Sequence, residues 1–184
     1  MRAWLVPCLV LAACGAPSSP DAGVDAGLPV VDAGPTLNAF QQAMLSEHNA
    51  VRIYALPDPM PPLPLMQWSP SAQALAEDWA ARCNFTHRSP NSLGENLAGA
   101  TIELSPGDVV SGWAAEKADY TLSTNTCRAG QACGHYTQIV WRTSIGLGCA
   151  QHLCTTGSPF STVNWYFVVC NYDPAGNLVG QKPY

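Results

Sequence analysis

Charged residues are scarce in this chain of 184 residues, at 11% of the composition, and the formal net charge is −5. A surface that binds nucleic acid needs lysine and arginine clustered on one face. Only 8 basic residues are present, and they are spread along the sequence. The composition therefore argues against a nucleic-acid partner.

Two kinds of catalytic or metal-binding signature are missing. No Cys-x-x-Cys pair occurs, so the spacing typical of a cysteine-rich zinc site is absent. Neither Gly-x-Ser-x-Gly nor His-Glu-x-x-His occurs, and these motifs mark many serine hydrolases and zinc proteases. Ser144 and Thr137 lie near His135 along the chain, but nearness in sequence does not activate a nucleophile. A metal-dependent or serine-type hydrolase is therefore the less favoured interpretation.

No apolar run is long enough to span a bilayer as a helix. The run from Trp4 to Ala13 follows Arg2 and is typical of a signal peptide, so residues 1–13 are predicted to be removed. Its ending Leu-Ala-Ala-Cys resembles a bacterial lipobox, in which Cys14 would carry lipid. An ordinary secretory signal is the alternative. Residues 14–36, with three Asp-Ala-Gly repeats among proline and serine, are predicted to form a flexible tether.

These features predict an exported protein that is anchored to a bacterial membrane through Cys14, or an extracellular one. Because Gly15 rather than aspartate follows Cys14, we expect the outer membrane or the cell surface rather than inner-membrane retention, by analogy with lipoprotein sorting.

Cysteine is abundant, with eight residues in the chain. Without Cys8 and Cys14, six remain, and an even number in an exported chain favours three disulfides over free thiols. Their spacing alone does not fix which cysteines pair. The six are Cys83, Cys127, Cys133, Cys149, Cys154 and Cys170.

The folded part is predicted to begin near Leu37 with an amphipathic helix. Apolar residues recur at three- and four-residue steps as far as Val51. Thr36 is the expected cap, and Pro57 ends the helix. His48 lies on the apolar face and is interpreted as a core histidine.

Three further helices and a sheet follow from local signals. Ser69-Pro70 and Ser105-Pro106 each combine a cap residue with a first-turn proline, and residues 134–142 predict a short fourth helix. Residues 145–154 and 161–172 are rich in β-branched and aromatic residues and predict a hairpin with long arms. Helices followed by a late antiparallel sheet indicate an α+β domain.

Six separate segments resemble, in order, those of one known family. They are EHNAVR, CNFTH, GENL, WAAE, GHYTQIVWRTSIGLGCA and FVVCNYDPAGNLVGQKPY. The family is the CAP superfamily, also called SCP-domain proteins, which includes cysteine-rich secretory proteins, venom antigens and plant pathogenesis-related proteins. The resemblance covers about residues 37–184 and is strongest with the plant type. It implies a three-layer α-β-α sandwich with a small antiparallel sheet between helices.

The resemblance also implies the disulfide pairing Cys83–Cys154, Cys127–Cys133 and Cys149–Cys170. Each bridge is expected to stabilise the fold by about 2–4 kcal/mol, mainly by restricting the unfolded chain. The span before Cys170 is longer than in the plant pattern, by a loop around Thr155 to Thr162.

A cleft with two histidines and two glutamates is a further implication. Carried over motif by motif, these residues are His87, Glu95, Glu116 and His135. Imidazole and carboxylate are the usual ligands of zinc and similar divalent ions. The set therefore predicts either a labile site for Zn²⁺ or another divalent cation, not required for folding, or an acid–imidazole network without metal.

Lipid binding is a third implication, with a sterol or a fatty acid in a hydrophobic groove. Trp113, Tyr120 and Tyr136 are the candidate aromatic contacts, whereas Trp141 is expected in the core. Sterol-binding relatives carry an aromatic loop before the His-Tyr-Thr-Gln segment. The corresponding residues 122–134 contain no aromatic side chain, which weakens the prediction of sterol in particular.

The favoured function is a secreted, membrane-anchored and non-enzymatic binding module with a monomeric domain. A precursor of a signalling peptide is another candidate, because residues 170–184 resemble the segment that plants release as a defence peptide. The alternative is a tail that is only the final strand and a packed C-terminus. His152 belongs to no motif and is expected at the surface.

Overall fold

The computed structural model of the chain describes residues 36–184. The predicted signal peptide, all but the last residue of the predicted tether, and the predicted lipidation site Cys14 lie outside the described residues. Within residues 36–184, none of the helices combines the length and the apolar character needed to cross a bilayer.

The first helix, α1, begins one residue after a reciprocal cap. The Asn38 Oδ1 atom accepts a hydrogen bond from the Gln41 backbone N–H at 3.0 Å, and the Gln41 Oε1 atom accepts one from the Asn38 N–H at 2.8 Å. The prediction of Thr36 as the cap is wrong, because this arrangement needs a Gln or Glu three residues after the cap. Ala39 occupies that position relative to Thr36.

The next two helices begin at the predicted Ser-Pro pairs. The Ser69 and Ser105 hydroxyls accept hydrogen bonds from the backbone N–H groups of Ala72 and Asp108, with proline in the first turn of each helix. A 3₁₀ turn, Glu116–Asp119, follows the third helix directly. The helices are α1 Ala39–Ile53, α2 Pro70–Ala80, α3 Pro106–Ala115 and α4 Gly134–Ile139.

Four strands form one sheet in the order β1-β5-β6-β2, and β3 and β4 form a separate pair. The strands β5 and β6 are the predicted hairpin, and β2 adds antiparallel to β6. The edge strand β1 pairs parallel with β5, so the sheet is mixed at that edge. Two residues are too few to show strand alternation, and the sequence pattern therefore missed β1. The strands are β1 Gln67–Trp68, β2 Gly94–Ala100, β3 Tyr120–Thr121, β4 Thr126–Cys127, β5 Gly146–Cys154 and β6 Trp165–Asp173.

Successive side chains of β6 point to opposite faces of the sheet and therefore lie in two different cores. Val168, Cys170 and Tyr172 face a core that also contains residues of α1, α3 and α4. Phe167 and Val169 face a second core that contains residues of α2. A sheet with helices on both faces is an α-β-α sandwich, as predicted from the family resemblance.

Three disulfides link the sandwich, and they are the pairs that the resemblance implied. Cys83–Cys154 ties the segment after α2 to the end of β5 across 71 residues. Cys127–Cys133, six residues apart, closes the loop before α4. Cys149–Cys170 joins β5 to β6 at residues that are direct partners in the strand register.

His48 is fully buried in α1, which confirms its interpretation as a core histidine. Its Nδ1 atom lies 2.7 Å from the Met44 carbonyl oxygen, which can only accept, so Nδ1 carries the proton. Its Nε2 atom lies 2.8 Å from the Tyr172 hydroxyl, which therefore donates to it. Both ring nitrogens are satisfied with the ring neutral.

Arg52, also buried in α1, holds the end of α4. Its guanidinium donates to the carbonyl oxygens of Ile139 and Trp141, both at 2.8 Å. These carbonyls lie at the C-terminal end of α4, where a positive charge is favourable. The side chain of Asn49 exchanges two hydrogen bonds with the backbone of Met66. Polar side chains of α1 thus fix the position of both α4 and the loop before β1.

Candidate histidine–glutamate site

The structure joins the four predicted site residues as two separate His–Glu pairs. The Nδ1 atom of His87 lies 2.8 Å from Glu95 Oε1, and the Nδ1 atom of His135 lies 2.6 Å from Glu116 Oε1. Glu95 belongs to β2, and His87 follows α2. Glu116 opens the 3₁₀ turn, and His135 lies in the first turn of α4. Tertiary packing alone creates both pairs.

The first pair joins a buried carboxylate to an exposed ring. The Glu95 side chain is 4% exposed, whereas that of His87 is 66% exposed. Glu95 Oε1 also accepts a hydrogen bond from the Arg88 backbone N–H at 3.0 Å. Glu95 Oε2 is buried and has no hydrogen-bond partner among the described residues. One acceptor atom of this pair is therefore not used by any residue from 36 to 184.

The second pair also caps a helix. Glu116 Oε2 accepts hydrogen bonds from the backbone N–H groups of His135 at 2.9 Å and Tyr136 at 3.2 Å. The local cap residue, Cys133, offers α4 no side-chain hydrogen bond, so Glu116 supplies it from elsewhere in the sequence. A carboxylate is favourable there because unpaired N–H groups and the helix dipole make the N-terminus positive.

Trp113 fixes the plane of the His135 ring. The two rings stack with centroids 5.8 Å apart and an interplanar angle of 14°. The indole N–H of Trp113 donates to the Leu97 carbonyl oxygen at 3.2 Å. Trp113 and Tyr136 are only 5% and 2% exposed, so their prediction as lipid contacts is wrong. The sequence pattern could not distinguish a buried aromatic ring that supports a site from an exposed one.

Asn96 connects this site to the core and was missed by the sequence analysis. Its Nδ2 group donates to the His135 carbonyl oxygen at 3.1 Å and to the Tyr172 hydroxyl at 2.9 Å. Tyr172 in turn donates to His48. Because neighbouring residues of a strand face opposite sides, Glu95 and Asn96 serve the two faces of β2. Strand alternation is the signal that could have separated their roles.

The residues present fit a cation held by imidazole. Each ring directs Nδ1 at a carboxylate, so in the neutral ring Nδ1 carries the proton and Nε2 keeps its lone pair. Within residues 36–184, the Nε2 atoms of His87 and His135 form no hydrogen bond. A carboxylate that accepts from the distal N–H of a histidine is the usual support of a metal-bound ring. Glu95 and Glu116 therefore fit orienting partners better than direct ligands.

In the part of the chain that the structure describes, one group of three potential ligand atoms lies within 4.8 Å of one another, and it does not include the four residues of the His–Glu pairs. The three atoms belong to Cys83, His152 and Cys154, and the ring of His152 is exposed, as predicted. Cys83 and Cys154 are joined in a disulfide. Disulfide sulfurs are not thiolates, so this group does not hold zinc in its oxidised form.

Neither candidate nucleophile contacts the site. Ser144 is fully buried, and its hydroxyl donates to the Pro174 carbonyl oxygen at 2.7 Å. The Thr137 hydroxyl donates to the Cys133 carbonyl oxygen at 3.0 Å. Among residues 36–184, no serine or threonine hydroxyl forms a hydrogen bond with the ring of either site histidine.

A disulfide-linked α-β-α sandwich with two His–Glu pairs at the start of β2 and α4 defines the class of protein. The model of the CAP family, described as the cysteine-rich secretory protein family, matches residues 45–172. This chain belongs to the CAP family. The family and the three disulfides fit an extracellular protein.

Individual relatives agree with this assignment. The chain is 39% identical over 148 residues to the PR-1 type pathogenesis-related protein of Sambucus nigra, covering 78% of this chain and 81% of the relative. Venom allergen-like protein 4 of Schistosoma mansoni has a similar solved structure, with a TM-score of 0.64, 26% identity and coverage of 80% and 95%. NaASP2, crystallised with Zn²⁺, shares the fold with a TM-score of 0.61, 24% identity and coverage of 79% and 84%.

Proposed function

We propose that this domain is a non-catalytic binding module in which His87 and His135 take up a divalent cation. The observation that carries the proposal is that both rings use Nδ1 in the same way. Each donates Nδ1–H to a carboxylate that is itself held by backbone N–H groups. This leaves both Nε2 atoms as available donors of a lone pair.

A bound Zn²⁺ or similar cation would supply a positive centre that accepts lone pairs from ligand atoms. In this chain, His87 and His135 would provide the nitrogen ligands, while Glu95 and Glu116 would hold the rings in the correct tautomer. Glu95 Oε2, which is buried and has no hydrogen-bond partner among the described residues, adds negative charge to the surroundings of the first ring. The crystallisation of NaASP2 with Zn²⁺ supports zinc as the first cation to test.

Calorimetric titration of the oxidised domain with Zn²⁺ tests this proposal. We expect one ion per domain, with the affinity of His87→Ala and of His135→Ala each reduced at least tenfold because a direct ligand is lost. His152→Ala is the matched control, since His152 is an exposed histidine outside the two pairs. Equal affinities for the wild type and the two site variants would refute the cation site.

The non-catalytic part of the proposal rests on the two candidate side-chain nucleophiles, which are engaged elsewhere. A serine- or threonine-type hydrolase needs a hydroxyl beside an orienting base, whereas the Ser144 hydroxyl donates to the Pro174 carbonyl oxygen and the Thr137 hydroxyl is within hydrogen-bond distance of the Cys133 carbonyl oxygen and of Asn177 Oδ1. We expect the purified domain to leave peptide and ester substrates intact. Cleavage that disappears in His135→Ala would instead establish a hydrolase at this site.

A second candidate function is binding of a fatty acid or sterol near the end of α1. Ile53, Tyr54, Leu56 and Met60 are all more than half exposed there. An open cavity of about 380 Å³ lies at this position, lined by apolar residues that include Ile53, Met60 and Leu63 and by the charged residues Arg52 and Asp58. Its volume falls within the range of about 300–1,000 Å³ that is usual for small-molecule sites.

Titration with palmitate and with cholesterol tests lipid binding at this cavity. We expect saturable binding of palmitate that is lost in Met60→Asp, because the variant removes an apolar contact of the lining and adds a second carboxylate beside Asp58. Val163→Asp is the control, since Val163 is also an exposed apolar residue and does not line the cavity. A flat titration with both lipids, using protein shown to be folded, would end this proposal.

We further propose that lipid on Cys14 carries the domain to a membrane surface. The support is the Leu-Ala-Ala-Cys sequence before the tether. The full chain expressed in a bacterium should enter the membrane fraction, whereas Cys14→Ser should be recovered as soluble protein. Recovery of both proteins in the soluble fraction would contradict the anchor.

Contacts of the C-terminal segment favour a structural tail over a releasable peptide. Lys182 Nζ donates to the Ser123 carbonyl oxygen at 2.7 Å, and the Arg142 backbone N–H donates to the Pro183 carbonyl oxygen at 2.8 Å. Pro183 itself is buried. Mass spectrometry of secreted material is expected to find no fragment that begins at Asp173, and finding one would favour the signalling precursor.

A further inference from the structure

An imidazole that the proposed cation site does not use lies beside the Cys83–Cys154 disulfide. Residues i and i+2 of a strand share a face, so His152 and Cys154 project from the same side of β5. Cys83 reaches this side from the segment after α2, and the three ligand atoms lie within 4.8 Å of one another. His152 is exposed, and within residues 36–184 its ring forms no hydrogen bond.

We propose that reduction of Cys83–Cys154 by a dithiol converts this group into a zinc site. The dithiol is oxidised to its own disulfide, and its two electrons and two protons go to the protein sulfurs, which become two thiols. Zn²⁺ then displaces both thiol protons to solvent and binds two thiolates. The neutral imidazole of His152 is the third ligand, and a solvent oxygen completes the tetrahedron.

The spacing of the three residues suits such a site. With zinc–sulfur bonds of about 2.3 Å and zinc–nitrogen bonds of about 2.0 Å, ligand atoms of a tetrahedral site lie about 3.5–3.8 Å apart. The three groups already lie within 4.8 Å of one another. The Cα atoms of Cys83 and Cys154 are 5.5 Å apart, so side-chain rotation can separate the released sulfurs without moving the backbone.

The backbone around the site does not depend on the disulfide alone. Cys154 pairs with Trp165 in the β5–β6 ladder, and the Cys83 backbone N–H donates to the Ala80 carbonyl oxygen at 3.1 Å. The Cys149–Cys170 disulfide is a separate link between β5 and β6. Both sulfurs are buried while His152 is exposed, so the ion enters from the histidine side.

Titration with Co²⁺, a spectroscopic substitute for Zn²⁺, tests the proposal. The protein carries Cys127→Ser and Cys133→Ser, which remove the more exposed disulfide, and is reduced with a phosphine and desalted. We expect a thiolate-to-cobalt charge-transfer band in the reduced protein only, with one Zn²⁺ displacing one Co²⁺. The His–Glu pairs contain no sulfur, so they cannot produce this band, and His87→Ala should retain it.

Two variants complete the test. His152→Ala should weaken Co²⁺ binding at least tenfold, and Cys154→Ser should abolish the band. The absence of a band in reduced, folded protein, an unchanged affinity in His152→Ala, or a band that persists in Cys154→Ser would each overturn the proposal. Unfolding of the reduced protein in the presence of Zn²⁺ would also overturn it, since the ion must then replace the lost link.

Discussion

His48 is a neutral side chain in a fully buried place. Its pKa is lowered from 6.5 to about 4, chiefly by loss of hydration, while the hydrogen bond to Met44 raises it and the nearby charge of Arg52 lowers it. Asn96 donates a hydrogen bond to the Tyr172 hydroxyl, and Tyr172 donates one to His48 Nε2. This series of hydrogen bonds requires the ring to accept at Nε2. Protonation of His48 would therefore turn Nε2 from an acceptor into a donor, and the hydrogen bond from Tyr172 would be lost.

The buried histidine makes stability depend on pH in a defined direction. The unfolded state takes up a proton as pH falls through 6.5, whereas the folded state does so only near pH 4. The contribution of His48 is therefore fully present above pH 6.5 and is lost between about pH 6.5 and pH 4. It amounts to about 3 kcal/mol of the free energy of unfolding.

Denaturant unfolding at several pH values between 7 and 4 measures this loss. The slope of stability against pH should flatten in His48→Gln, whatever the absolute stability of that variant, and should persist in His152→Gln. Nuclear magnetic resonance of the folded wild type offers an independent reading. A His48 ring that titrates near pH 6.5 would contradict the assignment.

We expect Glu95 to affect cation binding by orienting His87 rather than by binding the cation itself. A substitution that keeps the hydrogen bond but removes the charge tests this role. In Glu95→Gln the amide oxygen can still accept from His87 Nδ1–H, but the negative charge is gone. We expect the Zn²⁺ affinity to fall about 10–100-fold, as for other partners of metal-bound histidines. Glu47→Gln, at an exposed position of α1, is the control. Equal calorimetric affinities for Glu95→Gln and Glu47→Gln would exclude the role.

At the scale of elements, α4 is the helix that most needs outside support. It has six residues, and a helix of this length is not stable by itself in water. Glu116 satisfies N–H groups at its start, and Arg52 satisfies carbonyls at its end. The position of His135 thus depends on residues from α1 and from the turn after α3.

Replacing the guanidinium of Arg52 with the ammonium group of lysine should weaken the support of this helix. Arg52→Lys keeps the charge but cannot reach several carbonyls at once, and each carbonyl left unpaired costs about 1–3 kcal/mol. We expect the free energy of unfolding to fall by about 2–4 kcal/mol in denaturant titrations. Arg82→Lys alters an exposed pair with Asp78 and a cation–π contact with Trp79, and it should change stability by less than about 1 kcal/mol. Similar losses in both variants would contradict the role.

The elements also show what the sequence could predict. Ser69-Pro70 and Ser105-Pro106 mark helix starts because the cap and the first turn are local, and the hairpin follows from β-branched and aromatic content. The strand β1 is too short to have a pattern. The approach of His135 to Glu116 is a tertiary event, so only the resemblance to the family suggested it. The contacts of Trp113 and Asn96 with His135 are also tertiary, so the sequence could not predict them.

At the scale of the molecule, the three disulfides contribute unequally. In the chain-entropy model, stabilisation grows with the length of the closed loop. The loop of Cys83–Cys154 spans 71 residues and that of Cys127–Cys133 spans 6. These lengths give about 4 and about 2 kcal/mol, respectively, so the link between α2 and β5 should stabilise the folded state more.

Paired serine variants measure this difference. Replacement of both Cys83 and Cys154 by serine should lower the free energy of unfolding by about 4 kcal/mol, against about 2 kcal/mol for Cys127 and Cys133. Denaturant titrations of the two double variants in parallel give the comparison. A larger loss for the Cys127 and Cys133 variant would show that native-state packing, rather than loop length, dominates.

The central claim is that two histidines, each held by its own glutamate, take up one cation through Nε2. A crystal structure of the domain grown with Zn²⁺ and measured at the zinc absorption edge tests this claim most directly. We predict one anomalous peak bonded to Nε2 of His87 and of His135, with both Nδ1 atoms still on their carboxylates. Zinc bonded to the carboxylates with the rings turned away, or no peak at the site, would contradict it.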